Sequence, residues 1–248
     1  MVALATALTP ALAHAQAATT SASATQQGYV AVHVGGQAGS GDLVTGFTFD
    51  QYGENAVVDT TQEYGGGFLF NVEGGYRVRH NIEVGLALSR ASSSADTVIT
   101  ARIPHPLVTD RPRTATLTTD DFNHAETGFH FFGRYILPVT DKIDVGVSAG
   151  PSFIRVSHEI VGNVTFDDPS PFTAVTLTGA PSIDRSKTVF AFNVGANATY
   201  HVTDQVGIDG FFRFARRSTD IEGIGAGSVI EDLKVGGAQF GIGVRYAF

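Results

Sequence analysis

Gln239-Phe240-Gly241-Ile242-Gly243-Val244-Arg245-Tyr246-Ala247-Phe248 is the stretch whose reading decides the fold. Successive strand side chains point to opposite faces, so Phe240, Ile242, Val244, Tyr246 and Phe248 share one face and Gln239, Gly241, Gly243, Arg245 and Ala247 the other. The first face is wholly apolar. The second holds only polar, charged or very small side chains, the inverse of a soluble sheet packed on a core. That pattern fits a wall with lipid outside and a crowded polar interior. A strand in lipid needs backbone partners on both sides, so such a wall has to close into a ring.

Working outward, the composition allows this. The chain has 248 residues, 43% of them hydrophobic, with 29 glycines, no cysteine and no tryptophan. General disorder, a disulfide framework and a thiolate metal site are thereby excluded. A net charge of -8, with Arg77 the first Lys or Arg, argues against nucleic acid as a partner, since phosphate binding needs clustered cations. No stretch approaches the ~20 consecutive apolar residues of a transmembrane helix, so a membrane crossing has to be made by strands. Residues 1–17, rich in Ala and Leu and running into Ala13-His14-Ala15-Gln16-Ala17, read as a secretory signal without its positively charged start. Residues 18–27 read as a flexible tract, and residues 28–248 as the barrel.

Strand alternation recurs along that barrel. Val30, Val32 and Val34 alternate with Ala31 and His33. Phe68, Phe70, Val72, Tyr76 and Val78 oppose Asn71, Glu73, Gly75 and Arg77, and after a turn at 79–81 come Ile82, Val84, Leu86 and Leu88. Phe129, Phe131, Tyr135 and Leu137 oppose Glu126, His130 and Arg134, with a turn at 138–141. Ile143, Val145 and Val147 oppose Asp144, Gly146 and Ser148, and Pro151 marks a bulge or the strand's exit. Phe190, Phe192, Val194 and Tyr200 oppose Asn193, Asn197 and His201; after a turn at 202–204, Val206, Ile208, Phe212 and Phe214 oppose Asp209, Phe211 and Arg213. Residues 38–65, 92–122, 158–187 and 218–232 read as four long solvated loops. The prediction is all-β: an eight-stranded antiparallel up-and-down transmembrane barrel with four long loops on one side and three short turns on the other.

This arrangement resembles the small outer-membrane barrels of the OmpA, OmpX and opacity-protein type. The aromatic Phe248, two residues after Tyr246, is similar to the C-terminal assembly signal of bacterial outer-membrane barrels. The resemblance implies a Gram-negative outer membrane, periplasmic short turns, and outer-membrane lipid and the barrel-assembly machinery as partners. It also implies a role in adhesion, envelope integrity or defence, carried by the outer loops toward a surface ligand. Tyr76, Tyr135, Tyr200 and Tyr246 fall on the apolar face near the short-turn side, where an aromatic girdle is expected.

The interior face carries Glu73, Arg77, Glu126, Arg134, Asp144, Asp209, Arg213 and Arg245. Charges in a narrow, nearly dry barrel are costly unless paired, so Arg134, Arg213 and Arg245 are expected to pair with Glu73, Glu126, Asp144 or Asp209. Such a network is a plug; the alternative is a narrow channel for ions or small solutes. His124, Glu126 and His130 share one face but span about 20 Å, too far to serve as one metal site. Some outer-membrane barrels deacylate lipid A with His and Ser two residues apart on the lipid face; His33, His124, His130 and His201 are followed at that spacing by Gly35, Glu126, Phe132 and Thr203. Neither an enzyme nor a cofactor is expected. A soluble lipocalin-like barrel would need a polar outer face rich in Lys, Glu and Thr, which the Gly- and Ala-rich second face does not supply.

Overall fold

The computed structural model describes residues 27–39, 41–223 and 229–248, so the readings of residues 1–17 and 18–26 lie outside the described residues. Within them the strands are β1 (Gly28–Ala38), β2 (Gly41–Gln51), β3 (Glu54–Tyr64), β4 (Gly67–Arg79), β5 (Ile82–Ile103) and β6 (Arg113–Thr140). There follow β7 (Ile143–Val161), β8 (Thr165–Asp167), β9 (Thr176–Gly179), β10 (Ser182–His201), β11 (Val206–Glu222) and β12 (Val229–Ala247). Antiparallel pairing runs β1-β4-β5-β6-β7-β10-β11-β12 and returns to β1, a closed ring of eight strands. The ring closes from Tyr29↔Ala247 to Ala38↔Ala238. Gly28 and Phe248 exchange backbone hydrogen bonds of 3.0 and 2.8 Å at its end.

Tight turns at 80–81 and 141–142 and a slightly longer one at 202–205 join strands on one side. Pro138 lies inside β6 rather than in the turn, at a register shift between Pro138 and Thr140 that absorbs its missing donor. Pro151 does not end its strand either. β7 runs through it in register with β10, while pairing with β6 lapses between His130↔Ser152 and Gly133↔Ala149. The Asn193 amide, reaching from inside, donates to the carbonyls of Phe131, Gly150 and Pro151 at 3.1, 2.9 and 3.2 Å, covering the gap.

The long segments on the other side differ from the solvated loops expected. Residues 38–65 form the β2–β3 hairpin, and β3 pairs with the upper half of β5 from Val57↔Arg102 to Tyr64↔Ala95. Its turn is Tyr52-Gly53, both at positive φ (57° and 79°), as a two-residue hairpin matching the strand twist requires. β5 and β6 extend together to Ile103↔Arg113, leaving a tip at 104–112 that contains Pro104, Pro106 and Pro112. β7, β10, β11 and β12 also extend, reaching Val161, Ser182, Glu222 and Val229.

These extensions are strands because their alternation continues with its sense reversed. Along β5, Ile82, Val84, Leu86 and Leu88 are exposed outward, yet beyond Arg90 it is Ala95, Ile99, Ala101 and Ile103 that are buried inward, with Asp96 and Arg102 outside. β7 switches likewise, from Val147 and Phe153 outside to Ile154, Val156 and Ile160 inside. The upper interior is therefore an apolar core that includes Leu43, Val58, Ile99, Ile103, Ile160, Leu233 and Val235. Lipid surrounds one half of the barrel and water the other, and the hydrophobic effect turns the apolar side chains accordingly.

Candidate functional site

The interior of the lower half is built from register rows that bring charges across strands. In one row Arg77 on β4 opposes Glu83 on β5, which opposes Arg134 on β6. Glu83 is 1% exposed and ion-paired with Arg134 at 3.3 Å, Arg77 at 3.7 Å, and Arg245. Arg134 also grips Glu73 at 2.6 Å, and Arg213 approaches the second Glu73 oxygen at 3.6 Å. Tyr29 donates to Glu73 at 2.7 Å and accepts from Arg134 at 2.8 Å, and the Arg245 guanidinium lies 3.5 Å from the centre of its ring. Each buried cation has a carboxylate and an aromatic face, the arrangement under which burial of charge is tolerated.

A second row runs Asn71–His33–Gly243–Asp209–Thr199–Asp144 across six strands. Arg213 donates to the Asn71 oxygen at 3.2 Å, so the Asn71 amide nitrogen faces His33 Nδ1 at 3.1 Å. His33 Nε2 is then the donor to Asp209 at 2.9 Å. Gly243 makes this reach possible: a Cβ there would stand 1.8 Å from the Val32 carbonyl oxygen and 2.7 Å from His33 Cα. Asp209 also accepts from Thr199 at 2.5 Å, and Asp144 pairs with the half-buried His201 at 2.9 Å near the short turns.

The chain of contacts continues upward. Arg213 donates to Gln239 at 3.2 Å, Gln239 to Gln37 at 2.8 Å, and Gln37 to Glu126 at 2.8 Å. Glu126 accepts the Gly236 N–H at 2.9 Å and contacts His124 Nε2 at 3.1 Å, while His124 meets His158 at 3.0 Å. Tyr64 stacks on His124 at 4.5 Å and exchanges hydrogen bonds with the Lys234 backbone; burial pushes its hydroxyl up to about 12. His130 lies apart from His124, between Ser89 and Ser152 at 2.8 Å each. Among the described residues no three His, Cys, Asp or Glu side chains form a group that could hold a metal.

The expected pairing thus differs in its partners. Arg134 and Arg213 meet Glu73, but Arg245 meets Glu83, and Asp209, Glu126 and Asp144 turn to His33, His124 and His201. Parity assigns a side chain to the interior, whereas the stagger between tilted strands sets its height, and height selects the partner. Glu83 could have been found, since it stands between Ile82 and Val84 in plain alternation. Tyr29, Asn71, Gln37 and Gln239 carry no charge to draw attention, and His158 and Tyr64 belong to segments that read as loops. Tyr76, Tyr135, Tyr200 and Tyr246 stand outward and exposed.

At the outer end, Arg113 forms a bidentate pair with Asp168 (one contact 2.8 Å) and donates to the carbonyls of Pro104 at 2.7 Å and Phe172 at 3.1 Å. Tyr52 donates to Asp168 at 3.2 Å, and the Asp110 N–H to Glu54 at 3.0 Å. One arginine thereby ties the β2–β3 hairpin, the 104–112 tip and the segment before β9 into a crown. Hydrogen bonding from Arg113 holds the Asp168 carboxyl below the usual carboxylate range.

The family model described as "outer membrane protein beta-barrel domain" matches residues 2–248. No curated protein matches the chain. Among solved structures, the chain is similar to outer membrane protein OprG of Pseudomonas aeruginosa, at 10% identity and TM-score 0.50, covering 90% of this chain and 97% of that one. It is also similar to outer membrane protease OmpT of Escherichia coli (12%, TM-score 0.49, 93% and 99% covered) and to Neisserial surface protein A (14%, TM-score 0.42, 90% and 96% covered). These likenesses concern the fold alone. Since the family match takes in every strand of the ring, the chain belongs to the outer-membrane protein β-barrel domain family, and the membrane its apolar belt meets is the bacterial outer membrane.

Proposed function

We propose that this outer-membrane barrel is a non-conducting, non-catalytic scaffold that presents its outer extension to a surface ligand, in adhesion, envelope integrity or defence. The observation that carries this reading is the filled interior. Glu73, Glu83, Asp209, Arg134, Arg213 and Arg245 are between 1% and 8% exposed and are paired across the lumen. An eight-stranded ring leaves room for little besides such side chains. The apolar core above and the Arg113–Asp168 crown support the rest of the proposal, because they hold the outer surface in one shape. Ser89, His130 and Ser152 have the residue types of a nucleophile and base, but they are 0–1% exposed inside the plug. They serve the interior hydrogen bonding.

The test is electrical. The purified wild-type protein in planar bilayers is expected to show no steady conductance. Steady single-channel currents whose ion selectivity shifts when Glu73 or Arg213 is neutralised would replace this reading with that of a narrow channel.

A further inference from the structure

The reversal of alternation marks where lipid gives way to water, and two arginines stand at that line. Arg90 and Arg155 are exposed and hold the outward parity of β5 and β7, each two residues above a side chain of the apolar belt, Leu88 and Phe153; above Arg90 the outward face of β5 carries Ser92, Ser94 and Asp96 before the exposed Val98. Both oppose the same residue, Thr127 of β6, and Arg155 also opposes Thr188 of β10. Their Cα atoms are thus two strand spacings apart, on the order of 10 Å, and both guanidiniums can reach one group between them. Arg90 donates to the Thr127 hydroxyl at 3.1 Å and Arg155 to the Ser186 hydroxyl at 3.1 Å. Neither has a carboxylate within 4 Å among the described residues, unlike Arg102, Arg113, Arg134, Arg213 and Arg245. The next outward acids on the two strands are Asp96 and Glu159, the nearer of them about 13 Å further along. In a chain of net charge -8, two cations left without acids at the membrane surface leave an anion site open.

Below the arginines the surface is aromatic. Phe153 packs edge-on against Phe190 at 5.4 Å, Phe190 against Phe192 at 5.1 Å, and Phe70 opposes Arg90 across the β4–β5 ladder. A ligand that brings phosphate to the guanidiniums and hydrocarbon to the phenylalanines fits both halves. We propose that Arg90, Thr127 and Arg155, with Ser186, form a binding site for the phosphate of an outer-leaflet lipid, whose acyl chain lies on the Phe153–Phe190–Phe192 face. A guanidinium–phosphate hydrogen bond is charge-assisted and paired donors fix its geometry. The site is lateral and independent of the plugged lumen.

The experiment measures retention of the folded wild-type barrel, in neutral detergent, on micelles doped with phosphatidic acid or with phosphatidylcholine of the same chains. Inorganic phosphate serves as competitor. The expected result is selective binding of phosphatidic acid that falls about tenfold with each of Arg90→Gln and Arg155→Gln, since hydrogen bonds to charged groups contribute on that order. Arg79→Gln, at the short-turn side, should leave it unchanged. Folding of each variant is read from its shifted mobility on unheated gels, and outward arginines should leave that shift intact. Equal binding of both lipids, an equal loss with Arg79→Gln, or no loss in a folded Arg90→Gln/Arg155→Gln variant would overturn the proposal. Millimolar inorganic phosphate abolishing the binding would reassign the site to free phosphate.

Discussion

At the scale of single residues, the interior rests on side chains whose partners cannot be removed one at a time. Glu83 pairs with Arg77, Arg134 and Arg245 together, and although Arg134 keeps Glu73, Glu83→Ala leaves the buried Arg245 guanidinium without a carboxylate. Breaking a buried pair costs about 3 to 5 kcal/mol. Urea unfolding in lipid vesicles should show a loss of that size, and an unchanged midpoint would contradict the pairing. Gly243 gives a sharper contrast. A methyl there meets the Val32 carbonyl oxygen at 1.8 Å, so Gly243→Ala should displace β12 from β1 and lower stability by ~1–3 kcal/mol. Gly133→Ala places its methyl where nothing lies within 4 Å and should be neutral in the same assay.

At the scale of elements, each long strand crosses two media and is patterned for both. Val194 on β10 lies in the outward belt, and arginine at the bilayer midplane of a barrel costs roughly 2 to 4 kcal/mol. Val194→Arg is expected to fold poorly into vesicles, judged by the fraction that acquires heat-modifiable mobility; wild-type yields would reject the lipid-facing assignment. Above the belt, the crown depends on Asp168 and Arg113. Asp168→Asn removes a charge-assisted bidentate pair, and cleavage within residues 104–112 by a broad-specificity protease should accelerate about tenfold. The pH dependence has a definite sign. Because the Asp168 carboxyl is held below its ordinary value, its contribution is complete above the unfolded pKa of ~3.9 and is lost as pH falls through the lowered native value. Protection should persist at pH 5, fade in stronger acid, and lose that acid step in Asp168→Asn.

At the scale of the whole molecule, closure of the ring is the decisive event, and Phe248 sits on it. Its backbone exchanges hydrogen bonds with Gly28, its ring lies against the space above Gly28, and Tyr246 stacks beside it at 6.4 Å. We infer that Phe248 serves as an assembly signal as well as a clasp. Deleting it should slow membrane insertion in cells several-fold, while the purified chain still refolds in detergent, because nine further pairs of the β1–β12 seam above Tyr29↔Ala247 are untouched. Pulse-labelled cells give the rate. Insertion at the wild-type rate would remove the signal reading and leave only the clasp.

Much of this architecture is determined by the linear sequence alone, because period-two alternation is a local property. Phe240 to Phe248, Phe190 to Tyr200 and Ile82 to Leu88 each declare which face meets lipid, and the chain between them is too short at 80–81 and 141–142 for anything but a turn. That accounts for the eight strands, their order and the interior placement of Glu73, Arg134 and Arg213. The outer hairpins were partly legible: Leu43, Phe47 and Phe49 alternate ahead of Tyr52-Gly53, but their apolar side faces inward, a sense opposite to that of the belt. Only the tertiary structure decided which charges meet. Arg245 finds Glu83 rather than Asp209, and Asp209 finds His33 across Gly243, because closing a tilted sheet shifts each strand along its neighbour. Arg90 and Arg155 come to flank Thr127 by the same shift, although 65 positions separate them in the sequence. Parity is written residue by residue, whereas height around a ring is a property of all eight strands at once.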